Sequence, residues 1–124
     1  MKELRTAFPA DARSPGAARR FVAETLRALG LAYVTEVACL LTSELVTNAV
    51  IHAGSPVDLV VAVDDGRVRI EVHDRLDRLL PPDCVPAAAE AIGGRGLQLV
   101  SALSDAWGVV HDGTGKAVWF SLAT

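Results

Sequence analysis

Residues Val57–His73 read VDLVVAVDDGRVRIEVH: two runs rich in β-branched residues, Val57–Val63 and Arg67–His73, joined by Asp64-Asp-Gly66. Asp-Gly between such runs is a strong hairpin signal, because the turn that matches strand twist needs residues that tolerate a left-handed backbone. The middle of the chain is therefore predicted to form two antiparallel strands. Upstream, residues 3–8 (Glu-Leu-Arg-Thr-Ala-Phe) alternate polar and apolar and predict a short strand. Ser14-Pro15 predicts a helix start, a capping hydroxyl followed by proline in the first turn. That helix runs through Phe21, Val22, Leu26 and Leu29 to a stop at Gly30. A second helix is predicted from near Thr35, with Glu36 in its first turn, to Ala53, ending at Gly54-Ser-Pro56.

Downstream, residues 75–92 hold Pro81, Pro82 and Pro86 and read as the one long loop. Gly96 to Asp105 predicts a third helix with Leu97, Leu99, Val100 and Leu103 apolar. Trp107–His111, a turn at Asp112-Gly-Thr-Gly115 and a strand over Lys116–Leu122 close the chain. The order β, α, α, β, β, α, β, β is not an alternating βαβ pattern. It predicts an α+β two-layer sandwich, with a mixed, mostly antiparallel sheet of about five strands and three helices on one face.

At 124 residues, residues 1–124 are expected to form a single domain, large enough for one core and too short for two. Hydrophobic residues make up 51% and charged residues 22%, which excludes a disordered chain. The net charge of −3 argues against direct nucleic-acid binding, which calls for a basic face. A polyanionic ligand would have to be held by local groups: backbone N–H, a single Arg or a cation. Cys39 and Cys84 form no CxxC pair and lack a matching His spacing for zinc. Cys39 sits in an apolar helical run and reads as a small core residue. The charged N-terminus has no signal peptide, and no run approaches the roughly 18 apolar residues of a membrane span. The expectation is a cytoplasmic protein without a membrane segment.

The stretch Leu41–His52, LTSELVTNAVIH, places Glu44, Asn48 and His52 four residues apart on the second helix. On a helix such a series forms one stripe. Two readings stand: a solvated face widened by Ser43 and Thr47, or a face turned to a cleft. Asn competes with the backbone for hydrogen bonds and is a poor mid-helix residue, which favours the second reading. There its amide oxygen could reach Mg²⁺, a hard ion that keeps several waters. Glu44, one turn away, could orient or deprotonate a hydroxyl or water.

The cluster Gly93-Gly-Arg-Gly-Leu97 lies at or just before the third helix start. Each glycine inside a helix costs about 1 kcal/mol relative to Ala. Close approach of exposed N–H groups to phosphate would offset that cost, and Arg95 could add a charge-assisted contact. A plain hinge or tight turn is the alternative, and the Rossmann spacing is absent because Leu99 occupies the third glycine position. Gly113-Thr-Gly-Lys116 is not a P-loop: the required first glycine falls at Val110, Ala117 follows the lysine, and a strand follows rather than a helix. It reads as a β-turn. Asp74, at the end of a strand, is either a solvated terminus or an acceptor for an exocyclic amine bordering a cleft. His73 and His111 carry no partner signal.

Taken in order, these motifs resemble the GHKL (Bergerat-fold) ATPase superfamily, and within it the small RsbW-like anti-sigma-factor serine kinases. SELVTNAVIHAG (43–54) is similar to the family's asparagine box, IEVHDR (70–75) to the strand entering its first glycine box, and GGRGLQLV (93–100) to its second. WGVVHDGTGKAVWFSL (107–122) resembles its closing hairpin. The resemblance covers nearly the whole chain and implies ATP and Mg²⁺ as ligands. It implies Asn48 as the metal ligand, Glu44 as catalytic base and Asp74 on the adenine amino group. His52, within the asparagine box, would also bind the nucleotide, while Gly93, Gly94, Arg95, Gly96 and Leu97 would cradle phosphate beneath a lid over residues 76–93. It further implies transfer of phosphate to a serine on an anti-sigma-factor antagonist protein, sequestration of a sigma factor, and a homodimer. A regulatory module that binds ATP and docks a partner without kinase activity is the alternative. Two departures from the family pattern stand out: Arg75-Leu-Asp-Arg78 follows Asp74 where glycines are expected, and Ala117 stands where many relatives carry Thr.

Overall fold

The computed structural model describes residues 2–75, 97–111, 113 and 115–124. Strand β1 (Lys2–Phe8) leads into helix α1 (Ser14–Ala28) and helix α2 (Ala32–Thr47), which continues into a π-helical turn over Asn48–His52. The hairpin of β2 (Val57–Asp64) and β3 (Arg67–Asp74) follows, then helical residues 97–103 (α3), β4 (Ala106–His111) and β5 (Lys116–Ala123). The five strands form one sheet in the order β1-β2-β3-β5-β4, and every pairing is antiparallel. The α+β sandwich is the architecture observed, and among the described residues it holds no parallel pairing of the kind a mixed sheet would contain.

Each strand sorts its side chains by period two. In β3, Val68, Ile70, Val72 and Asp74 are buried while Arg67, Arg69, Glu71 and His73 alternate with them. The buried row meets Leu59 and Val61 of β2 and Val118, Phe120 and Leu122 of β5. Above it lie Leu41, Leu45 and Val46 of α2, with Val22 and Leu26 of α1 in the same core. Full burial of a side chain such as Ile70 or Phe120 contributes roughly 1.5–3 kcal/mol. The opposite face carries a polar cluster: Arg69 lies 4.0 Å above the Trp119 ring, and Glu71 accepts from Arg69 and bonds His73, both at 2.8 Å. Burial pushes the Glu71 carboxyl up, but the bonds from Arg69 and His73 outweigh it and hold the group below its ordinary value.

Several boundaries differ from expectation for local reasons. Ser14 does not cap α1: its hydroxyl donates to the Pro9 carbonyl at 2.7 Å, and Asp11 Oδ1 accepts from the Arg13 N–H at 2.7 Å. The stop at Gly30 is as expected, with φ at 76°. Leu31 N–H bonds the Leu26 carbonyl and Gly30 N–H the Arg27 carbonyl, a Schellman closure that requires a left-handed residue. Helix α2 starts at Ala32, a turn earlier than expected, behind a Leu31 that offers no side-chain cap. Contrary to the expectation that no run approaches a membrane span, the 21 residues Ala32–His52 are long and apolar enough to cross a membrane, with mean hydropathy 1.4. More than half of that stretch is nevertheless buried inside the molecule, as the core helix of the sandwich. Cys39 is buried there, its thiol donating to the Arg19 carbonyl at 3.4 Å, and burial raises its pKa.

Candidate functional site

The end of α2 carries the first two candidate groups. The Asn48 N–H bonds the Glu44 carbonyl, so the two residues stand one α-turn apart on one face, both half-buried. Beyond Asn48 the helix widens: the Ala53 N–H reaches back five residues to the Asn48 carbonyl at 3.1 Å. Single wide turns of this kind are frequent at functional sites. Of the expected stripe of three, Glu44 and Asn48 are the half-buried members. His52 is the last residue of the wide turn and is exposed. Among the described residues no side-chain hydrogen bond or ion pair engages Glu44 or Asn48.

Asp74 is the third group. It continues the inward row of Val68, Ile70 and Val72, one residue beyond the expected end of the strand, so its side chain emerges on the helix side of the sheet. It is 6% exposed. A buried carboxylate is costly without partners, and the start of β5 supplies them. Its Oδ1 accepts from the Lys116 backbone N–H at 3.0 Å, and its Oδ2 lies 4.0 Å from Lys116 Nζ. Gly115 is packed directly on it: a Cβ there would stand 2.8 Å from Asp74 Oδ1 and 2.9 Å from its carbonyl carbon.

Asn48 and Asp74 lie at the same end of the molecule. Val57 at the start of β2 pairs with Asp74, and α2 lies over β3 and β5. Ser55, between the wide turn and β2, donates its hydroxyl to the Pro56 carbonyl at 2.7 Å and accepts from the Arg75 N–H at 2.9 Å. Arg75 also pairs with Asp58 at 2.8 Å. Leu97, the first described residue of α3, is partly buried against the core. Gly93, Gly94, Arg95 and Gly96, with the lid over residues 76–93, lie outside the described residues.

Sequence reasoning passes over Ser55, Gly115 and Lys116. Gly115-Lys116 carries the one available signal, a glycine beside a strand start; Ser55 reads as an ordinary turn residue.

The groups present suit a metal that arrives with its ligand. Among the described residues no cluster of three His, Cys, Asp or Glu could hold an ion alone. Mg²⁺ bound to nucleotide needs only one or two protein oxygens because phosphates and waters fill the rest. An unengaged, half-buried Asn48 amide fits that requirement.

Comparison with known proteins agrees with the architecture. The chain superposes on the structure of the RsbU and RsbW domains of Rv1364c from Mycobacterium tuberculosis with a TM-score of 0.73 at 22% identity, over 98% of this chain and 32% of that one. The blue-light activated histidine kinase of Erythrobacter litoralis EL346 matches with a TM-score of 0.55 at 32% identity, over 73% of this chain and 30% of that one. The histidine kinase domain of the same protein matches with a TM-score of 0.56 at 25% identity, over 87% and 60%. The chain thus spans between about a third and three fifths of the solved chains it resembles. No curated protein sequence matches it. The sequence model of the histidine kinase-like ATPase domain matches residues 8–122. With that match across nearly its whole length, and with the sandwich that carries it, the chain belongs to the histidine kinase-like ATPase domain family.

Proposed function

We propose that this domain binds ATP with Mg²⁺ between the end of α2 and the end of β3, and transfers the terminal phosphate to a serine of a partner protein. One observation carries the reading. Glu44 and Asn48 share a face one turn apart, half-buried and with side chains uncommitted among the described residues, at the end of the sheet where Asp74 stands fixed. In this reading Asn48 offers its amide oxygen to the metal and Asp74 accepts from the exocyclic amine of adenine. Glu44 takes the proton of the attacking hydroxyl. Bound Mg²⁺ neutralises phosphate charge, so the protein's task is positioning. Phosphate would rest on the glycine cluster Gly93, Gly94, Arg95 and Gly96 ahead of Leu97.

The partners proposed are an anti-sigma-factor antagonist as phosphate acceptor and a sigma factor as the sequestered protein. The domain would act as a homodimer in the cytoplasm. Support comes from the family match and from the structural likeness to an RsbW domain.

Calorimetry of ATP with and without Mg²⁺, on the natural protein and on Asn48→Ala, tests the site. The expected result is Mg²⁺-dependent binding weakened at least tenfold by the substitution; equal affinities would remove the metal-ligand role. Glu44→Gln is expected to bind ATP normally and to transfer no phosphate. Full transfer by that variant would refute its role as base, and binding of a partner with no label transferred by the natural protein would leave a docking module.

A further inference from the structure

Ser55 is 1% exposed, and its hydroxyl is used twice. It donates to the Pro56 carbonyl at 2.7 Å and accepts the Arg75 N–H at 2.9 Å, a bond between residues 20 apart in sequence. On one side, the Ser55 backbone N–H closes the exit of the wide turn on the Ala49 carbonyl at 2.9 Å, one residue after Asn48. On the other side, Arg75 directly follows Asp74. The guanidinium of Arg75 is anchored separately by Asp58, three residues beyond Ser55, at 2.8 Å. One buried side chain thus ties the helix end bearing Asn48 to the strand end bearing Asp74. Asp74 is the last paired residue of β3, so Arg75 lies just past the hairpin register.

We infer that Ser55 is a positioning residue of the nucleotide site, a strut that sets the separation between the phosphate side at Asn48 and the base side at Asp74. The inference rests on the reading of Asp74 as the adenine acceptor. A carboxylate held to a fixed place discriminates an exocyclic amine, which donates, from a carbonyl, which does not. Such discrimination depends on buried polar groups staying where a wrong partner leaves them unpaired. When the Arg75 N–H is released, the end of β3 can drift, and Asp74 can follow the ligand or turn away from it. Selectivity between bases then falls more than affinity for phosphate.

The test compares ATP with ITP, whose base carries a carbonyl in place of the amine, on the natural protein, Ser55→Ala and Ser55→Thr. Arg75→Pro deletes the same bond from its donor side at an exposed position, with Arg75→Ala as control for the lost ion pair. Ser55→Ala and Arg75→Pro are expected to lower the ATP-to-ITP affinity ratio about fivefold, equivalent to roughly 1 kcal/mol. Ser55→Thr and Arg75→Ala should keep the ratio. Hydrogen exchange without nucleotide supplies a second readout: the Lys116 amide, which donates to Asp74, should exchange faster in Ser55→Ala. If Ser55→Ala weakens both nucleotides equally and leaves Lys116 exchange unchanged, the residue only supports the fold and the inference is overturned. A natural protein that binds ATP and ITP alike would instead refute the adenine reading of Asp74, and the inference with it.

Discussion

Replacing Gly115 with Ala should damage the site and the fold together. The new Cβ would stand 2.8 Å from Asp74 Oδ1 and 2.9 Å from its carbonyl carbon. Ordinary contact begins near 3.4 Å, and the obstructing atoms include backbone that no rotamer change can move aside. The start of β5 must therefore retreat from β3 by a sizeable fraction of an ångström or more. The Lys116 N–H to Asp74 Oδ1 bond, now 3.0 Å, would pass beyond useful hydrogen-bond length. Overpacking costs about 1–3 kcal/mol, and losing a bond to a charged group about 1.5–3 kcal/mol. The two overlap, so roughly 3 kcal/mol of destabilisation is expected. Gly113→Ala is the control: it sits at φ 87° with open space around it, so only the left-handed penalty of about 1–2 kcal/mol applies. Urea unfolding with an unchanged slope measures both. Gly115→Ala should lose the preference for ATP over ITP, and Gly113→Ala should keep it. If Gly115→Ala proved the milder of the two, the close packing of this glycine on Asp74 would not be what holds the carboxylate.

Thr42 is fully buried, and its hydroxyl has no partner among the described residues. Thr42→Val keeps the shape and removes the desolvated group, so the urea midpoint should rise by roughly 1 kcal/mol of stability; a fall would show that the hydroxyl is satisfied in solution. Glu71 is held below its ordinary value by Arg69 and His73 against the opposing effect of burial. Its contribution is therefore present above the unfolded carboxyl value of about 4.3 and is lost as pH falls through the lower folded value. Glu71→Gln should be less stable at pH 7 and show a shallower decline between pH 5 and 3, and parallel curves for the two proteins would contradict the assignment.

Most of the architecture is legible in the sequence because period and turn chemistry are local. Asp64-Asp-Gly66 places the hairpin, and the phase of Val68, Ile70 and Val72 carries through to Asp74. The start of α2 is not legible, since Leu31-Ala-Tyr-Val carries no capping side chain and the helix is held by burial instead. The wide turn is hidden for another reason: Asn48-Ala-Val-Ile-His52 suits an ordinary helix, and only the closure at Gly54 and Ser55 selects the looser bonding. The pair of Glu44 and Asn48 follows from spacing alone. The supports around Asp74 do not: Lys116 reaches its carboxylate from 42 residues away, and Ser55 reaches the N–H of the adjoining Arg75 from 20 residues away.

The wide turn also bears on kinship between chains. A helix whose bonding slips from four residues to five behaves as though one residue had been spliced into it. A relative with regular bonding over the same stretch would need one residue fewer between its asparagine and its left-handed glycine, or its helix would leave at a rotated angle. Counting positions outward from Asn48 toward the sheet thus gives equivalent residues only in chains that share the splice, and a deletion within residues 49–53 of this chain would convert one geometry into the other.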